Sequence, residues 1–269
     1  MTEVAVREPD SDLRGRLERR LRSMDTLAEN LPEVRYNLSA ATARGLEFLS
    51  LSMHLGVGHE HARRALGYTL DAACAALDAS RSSHGETHFT LAGRELVLPR
   101  QAPSDLATTA VWQRGFFAAL LLRDEERGAW LARFPLAVLE ASPLQSLPHT
   151  YMAVHTLGGF RLDEGGWQDD LAHTIMLAEA EDQNKEWREE LELPVLRMLA
   201  RIYGDGFSEA FEAALLAHRT YYTRGSMRND RNGFLALGPA ALAAWAHDCD
   251  RLVTVESDYA PRWLIEGRF

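Results

Sequence analysis

From Phe234 to Ala246 the chain runs through 13 residues, FLALGPAALAAWA, without one charged or strongly polar side chain. A helix that is apolar on every side has to be surrounded, either by lipid or by other helices. This run is well short of the roughly 20 residues that a membrane span requires. It therefore predicts a buried central helix, and the rest of the chain must supply the layers that cover it. Pro239 fits such a helix if the regular part begins near it, with Leu235 and Leu237 leading in.

The remaining sequence has the periodicity of covering helices. Just upstream, Phe207, Ala210, Phe211, Ala214, Leu215, His218, Tyr221 and Tyr222 recur at helical spacing behind Asp205 as N-cap. At the other end, Leu13, Leu17, Leu21, Met24, Leu27 and Leu31 form an amphipathic stripe that Pro32 stops. A second helix is expected from about Val34 to His54, closed by Gly56 and Gly58, and a third from His59 to about Ala79. Short loops between them imply antiparallel neighbours.

The period changes at HFTLAGRELVL, His88 to Leu98, with Phe89 and Leu91 on one side and Leu96 and Leu98 on the other of Ala92 and Gly93. This predicts a β-hairpin at about 86–98, which must lie against helices because two strands alone are marginal in water. Helical spacing resumes behind Ser104 or Asp105. It continues through segments at about Arg123 to Phe134, His149 to Phe160, Gln168 to Asp182 and Pro194 to Tyr203. The expectation is a mainly α single domain over 1–269, an irregular array of about ten helices in antiparallel pairs. Its stacking is tetratricopeptide-like, without the fixed repeat of about 34 residues.

Composition is that of a folded globular chain, 46% hydrophobic and 25% charged. The opening MTEVAVREPDSDLRGR has charges where a signal peptide would be apolar, and the expected location is the cytoplasm. Cys74 and Cys249 have no metal-site spacing and fall in helical patterns, which argues against a disulfide or a metal.

The net charge of −10 is concentrated. Between Asp163 and Glu192 stand 11 acids against two bases, Lys185 and Arg188, whereas the rest of the chain is nearly balanced at 28 acidic against 27 basic residues. Such a field attracts a basic partner and repels nucleic acid. The candidate partner-binding residues are Asp163, Glu164, Asp169, Asp170, Glu179, Glu181, Asp182 and Glu186. A solvated helix face accounts for the same residues without a partner.

No motif for catalysis stands out. His59-Glu60-His61 lacks the i, i+4 spacing of a zinc helix, and Asp170 with His173 does not make a Glu-x-x-His unit. There is no GxSxG elbow, and Ser82, Ser83 and His84 have no evident orienting acid. Gly158-Gly159 and Gly165-Gly166 are turn pairs outside any phosphate-binding pattern. Catalytic residues, metal ligands and cofactors are therefore left unassigned, and nothing sets an oligomeric state.

Three C-terminal blocks resemble a known family. The helix ending in HRTYY, the FLALGP turn into an Ala-rich helix with Asp248 after it, and the closing VESDYAPRWLIEG are similar to the immunity protein 49 family of bacterial polymorphic toxin systems, best over 205–267. A weaker likeness covers ELVLP and SDLATTAVWQRGFFAALLLRDEE. The resemblance implies an all-α protein that neutralises a cognate protein toxin by binding it and gives no catalytic residues, while the negative charge argues against a nucleic acid partner and the lack of an 18-residue apolar run against a membrane one. Trp112, His155, His218, Tyr222, Trp245, Glu256 and Asp258 fall in the resembling segments and could line one small-molecule pocket. The bland alternative makes the tryptophans core packing and pairs Glu256 or Asp258 with Arg262. If the pocket exists, the competing function is an enzyme of a specialised biosynthetic pathway on the same scaffold.

Overall fold

The computed structural model describes residues 3–5, 12–30, 37–56 and 58–269. A two-residue strand, β1 (Glu3–Val4), precedes α1 (Leu13–Asn30), α2 (Asn37–Leu55) and α3 (His59–Ala79). Leu31, Pro32 and Val34, at the expected end of α1 and start of α2, lie outside the described residues. Gly56 and Gly58 turn the chain between α2 and α3 with φ of 60° and 95°, a region that glycine enters without steric cost. The two helices then pack along their length. At Gly45 they are so close that a Cβ would fall 2.2 Å from Thr69 Oγ1.

The hairpin consists of β2 (Glu86–Leu91) and β3 (Arg94–Pro99), joined by Ala92 and Gly93. Both turn residues have positive φ, as a two-residue type I′ turn requires. Phe89 is opposite Leu96 in the antiparallel register, so Phe89, Leu91, Leu96 and Leu98 share one face, which lies on α3. Thr87 Oγ1 donates to Asp78 Oδ2 over 2.8 Å, and Arg100 reaches the same oxygen at 2.8 Å.

Then follow α4 (Thr109–Leu122), α5 (Glu125–Ala132), α6 (Leu136–Glu140), α7 (Pro148–Leu162) and α8 (Trp167–Ala180). The cap of α4 differs from expectation. Thr108, extended at φ −113°, accepts from the Val111 N–H, whereas Ser104 accepts from Leu106 in the preceding turn. Each of α1, α2, α3 and α4 packs on its successor, α5 packs on α7, and α7 packs on α8. That is the expected stacking of antiparallel pairs.

The chain continues through α9 (Lys185–Trp187), a π-helical turn (Arg188–Glu192) and α10 (Leu193–Leu199) as one uninterrupted helix. This corrects the expected helix at Pro194 to Tyr203, which begins nine residues earlier at Lys185 and ends sooner. After α11 (Phe207–Tyr222) come two 3₁₀ turns (Gly225–Asn229 and Arg231–Phe234), α12 (Leu237–Asp248), β4 (Glu256–Ser257) and α13 (Arg262–Ile265). Asp205 does not cap α11. Gly206 precedes it at φ 84°, with no side-chain cap.

The apolar run is α12, and it is central. Ala240, Ala241, Leu242, Ala243, Ala244 and Ala246 are fully buried, with α4, α10, α11 and α13 around them. Pro239 sits in the first turn, where its missing N–H removes no helical hydrogen bond. At the far end, Arg123 grips Asp248 through two bonds of 2.9 and 3.1 Å and also donates to the Ile265 carbonyl. The chain ends meet as well: β1 pairs in parallel with β4, and Ser257 Oγ donates to the Val4 carbonyl over 2.9 Å. No helix among the described residues is long and apolar enough to cross a membrane.

Candidate functional site

A cavity of about 280 Å³ opens where α2, α4, α7, α11, the π-bulged helix and the turn into α12 meet. Most of its wall is apolar, with Leu46, Phe117, Val195, Leu196 and Leu237 prominent. The polar groups are few: Arg114, Glu192, His218, Tyr222 and Asn232 among them. His218 and Tyr222 sit one turn apart on α11, with ring centroids 4.6 Å apart. The 231–234 turn holds this edge. His218 Nε2 lies 3.2 Å from the Gly233 carbonyl oxygen, and a Cβ on Gly233 would fall 2.6 Å from the Tyr222 ring.

Glu192 reaches the cavity because the π turn ends at it. The wider turn rotates a residue from an otherwise solvent-facing acidic run to the inside, and such bulges recur at functional sites. Its side chain is 6% exposed, and the still more buried His149 approaches Oε2 at 2.7 Å. The angles are not those of a hydrogen bond, and neither carboxylate oxygen has a hydrogen-bond partner among the described residues. Arg114 enters from α4 and donates to Thr42 Oγ1 over 3.2 Å. Burial pulls its guanidinium below the usual arginine value, partly offset by Tyr222.

Of the seven residues proposed as one pocket, the structure brings only His218 and Tyr222 to this cavity. Trp112 is core: it is 1% exposed, its Nε1 donates to the Leu131 carbonyl over 2.8 Å and its ring stacks on Phe116. Trp245 packs edge-on to Phe160 and under the Arg161 guanidinium. His155 is on the surface, 3.3 Å from Asp170. Glu256 is exposed and pairs with Arg262 at 3.7 Å, and Asp258 is exposed beside it. Helical phase explains the separation of Trp112, His155 and Trp245, which lie on faces of α4, α7 and α12 other than those lining the cavity, whereas Glu256 and Asp258 lie in and just after β4. Arg114 had a legible signal, being the one charge within Thr109–Leu122. Glu192 had none, as the last acid of a run.

The sequence matches the immunity protein 49 family over residues 52–264, from the end of α2 into α13. The chain belongs to that family. No curated protein and no solved structure matches it. The family match takes in the HRTYY helix, the turn carrying Gly233 and α12, so the elements that frame most of the cavity are those of the immunity protein 49 chain. No group of three or more His, Cys, Asp or Glu side chains among the described residues is arranged to hold a metal ion.

The acidic segment of this immunity-family chain falls into two groups at opposite ends of α8. Asp163 and Glu164 lie in the loop before the helix, with Asp169 and Asp170 in its first turn, where carboxylates complement the helix dipole. Glu179, Glu181 and Asp182 lie at the other end and in the following loop, and Glu186 lies in α9 just beyond it. A 14-residue helix separates the groups by about 20 Å. Some of these acids have local work: Asp170 faces His155, Glu179 pairs with Arg197 at 2.9 Å, and Glu181 accepts from the Asp182 and Gln183 N–H groups. Asp163, Glu164, Asp169, Asp182 and Glu186 have no ion pair among the described residues. Arg188, counted among the segment's two bases, is buried and donates to the Glu181 and Gln183 carbonyls.

Proposed function

We propose that the protein acts in the cytoplasm as an immunity protein, binding a cognate protein toxin and blocking it by occlusion through the outward side of α8. The observation that carries this reading, beside family membership, is the composition of that side. Asp169, His173, Met176 and Ala180 follow one another along the exposed face of α8. Met176 is 58% exposed, and unpaired carboxylates flank it at both ends. An apolar contact point between charged rims is the usual anatomy of a protein interface, where the rim sets association rate and the centre holds the complex. The field favours a basic toxin surface.

Co-expression with the toxin encoded beside this chain's gene is the direct test, scored by growth rescue and co-purification. Reversing Asp163, Asp169, Asp182 and Glu186 to Lys should slow association roughly tenfold or more at low salt, and Met176→Asp should speed dissociation. Unchanged kinetics in both variants would remove α8 as the contact surface. The competing reading, an enzyme of a specialised biosynthetic pathway, rests on the cavity with His218 and Tyr222. Turnover of a metabolite by the purified protein, without toxin rescue, would favour it.

A further inference from the structure

Arg114 is the one charge on an otherwise uncharged helix, and its setting is unusual for an arginine. A guanidinium carries five N–H donors in a fixed fork, yet among the described residues the hydrogen bond from Arg114 is the one to Thr42 Oγ1. Among the described residues, no carboxylate lies within ion-pair distance, and none figures among the charges acting on it. A half-buried cation without a counter-ion is costly, and the cost is recovered when an anion arrives. Arg114 takes part in no ion pair among the described residues, although the chain has ten more acids than bases.

We propose that the cavity beside Arg114 binds a small organic monocarboxylate with a hydrocarbon body. The carboxylate pairs with the Arg114 fork, and the body lies against Leu46, Phe117, Val195 and Leu237. One guanidinium matches one negative charge in the two-pronged geometry that carboxylates favour. A phosphate dianion fits poorly, because Glu192 already places a carboxylate on the same wall. The volume of about 280 Å³ is near the lower end of the range for small-molecule sites. Both Glu192 carboxylate oxygens and Asn232 Oδ1 on the wall lack a hydrogen-bond donor among the described residues, so a ligand bearing an O–H or N–H on its body would bind more tightly than a plain hydrocarbon acid. This site is separate from the outward face of α8 and does not depend on the toxin reading.

The test is titration of the full chain with octanoate, with octan-1-ol and octylammonium as probes that keep the body and change the head. Octanoate should bind with a dissociation constant of about 1 mM or below and raise the melting temperature, and octan-1-ol should bind roughly tenfold more weakly. Arg114→Met should lose about tenfold for octanoate while leaving octan-1-ol unchanged. Ala110→Trp, at an exposed position on the cavity lining, should block both ligands without disturbing the core. No binding of octanoate at several times that concentration, or equal binding to the parent and to Arg114→Met, would overturn the proposal. Preferential binding of octylammonium would do the same, by assigning the cavity to Glu192 instead.

Discussion

His149 Nε2 lies 2.7 Å from Glu192 Oε2, with both side chains almost wholly buried. The pair ties the start of α7 to the end of the π turn and holds the carboxylate at the cavity wall. Removing one partner of such a pair leaves a buried charge without an answer, which costs more than the intact pair contributes. His149→Leu should therefore lower stability by about 3–5 kcal/mol in urea unfolding, and the double variant His149→Leu/Glu192→Met should recover most of it. A His149→Leu protein as stable as the parent would mean that this contact does not hold the two helices together.

Gly158 on α7 is expected to resist replacement for a steric reason. A Cβ there would fall 2.9 Å from the Ala132 carbonyl oxygen, a backbone atom of α5. Helix propensity alone would favour alanine by about 1 kcal/mol, but the clash should reverse the sign and leave a net loss of roughly 1–3 kcal/mol. Gly67→Ala on α3 is the control, since nothing lies within 4 Å of its Cβ. Thermal unfolding should show the first variant below the parent and the second above it.

Arg127 joins two aspartates whose titrations are displaced in opposite directions. Burial alone would push Asp124 up, but hydrogen bonds from the Arg127 side chain and backbone N–H hold it below the usual aspartate value. Asp71 is pushed up by burial, with Arg127 only partly opposing. Asp124 therefore contributes stability above its unfolded value, about 3.9, and this is lost as pH falls through its lower folded value. Asp124→Asn should be less stable than the parent at pH 7, and the gap should close in acid. For Asp71 the sign is opposite: the parent should lose stability relative to Asp71→Asn as pH rises past about 4. Parallel curves for parent and variants would show that Arg127 does not couple to either carboxylate.

Much of the fold was legible because its elements are long and strongly periodic. The helix His59–Ala79 and the Ala92–Gly93 turn are where spacing puts them. Boundaries were harder where two residues could serve. Ser104 and Thr108 are both capable caps, and the choice between them fell to the backbone angles of the intervening turn. The start of the π-bulged helix escaped notice because half of Lys185 to Glu192 is acidic and the stretch shows no apolar periodicity. What makes it a helix is the burial of Arg188, which bonds the carbonyls of the preceding loop. In the cavity, His218 and Tyr222 could be picked out from the aromatic face of α11, while five other residues chosen with them diverge.

The sequence by itself determined which stretches are helical, that the run at Phe234 to Ala246 is interior, and where negative charge concentrates, because these follow from local periodicity and composition. Only the tertiary structure decided which side chains share a cavity, how the carboxylates divide between the two ends of α8, and that Arg114 faces no counter-ion among the described residues. Those facts depend on the rotation of each helix about its axis and on the single extra residue of the π turn. Each is set by long-range packing around α12, between residues far apart in the chain.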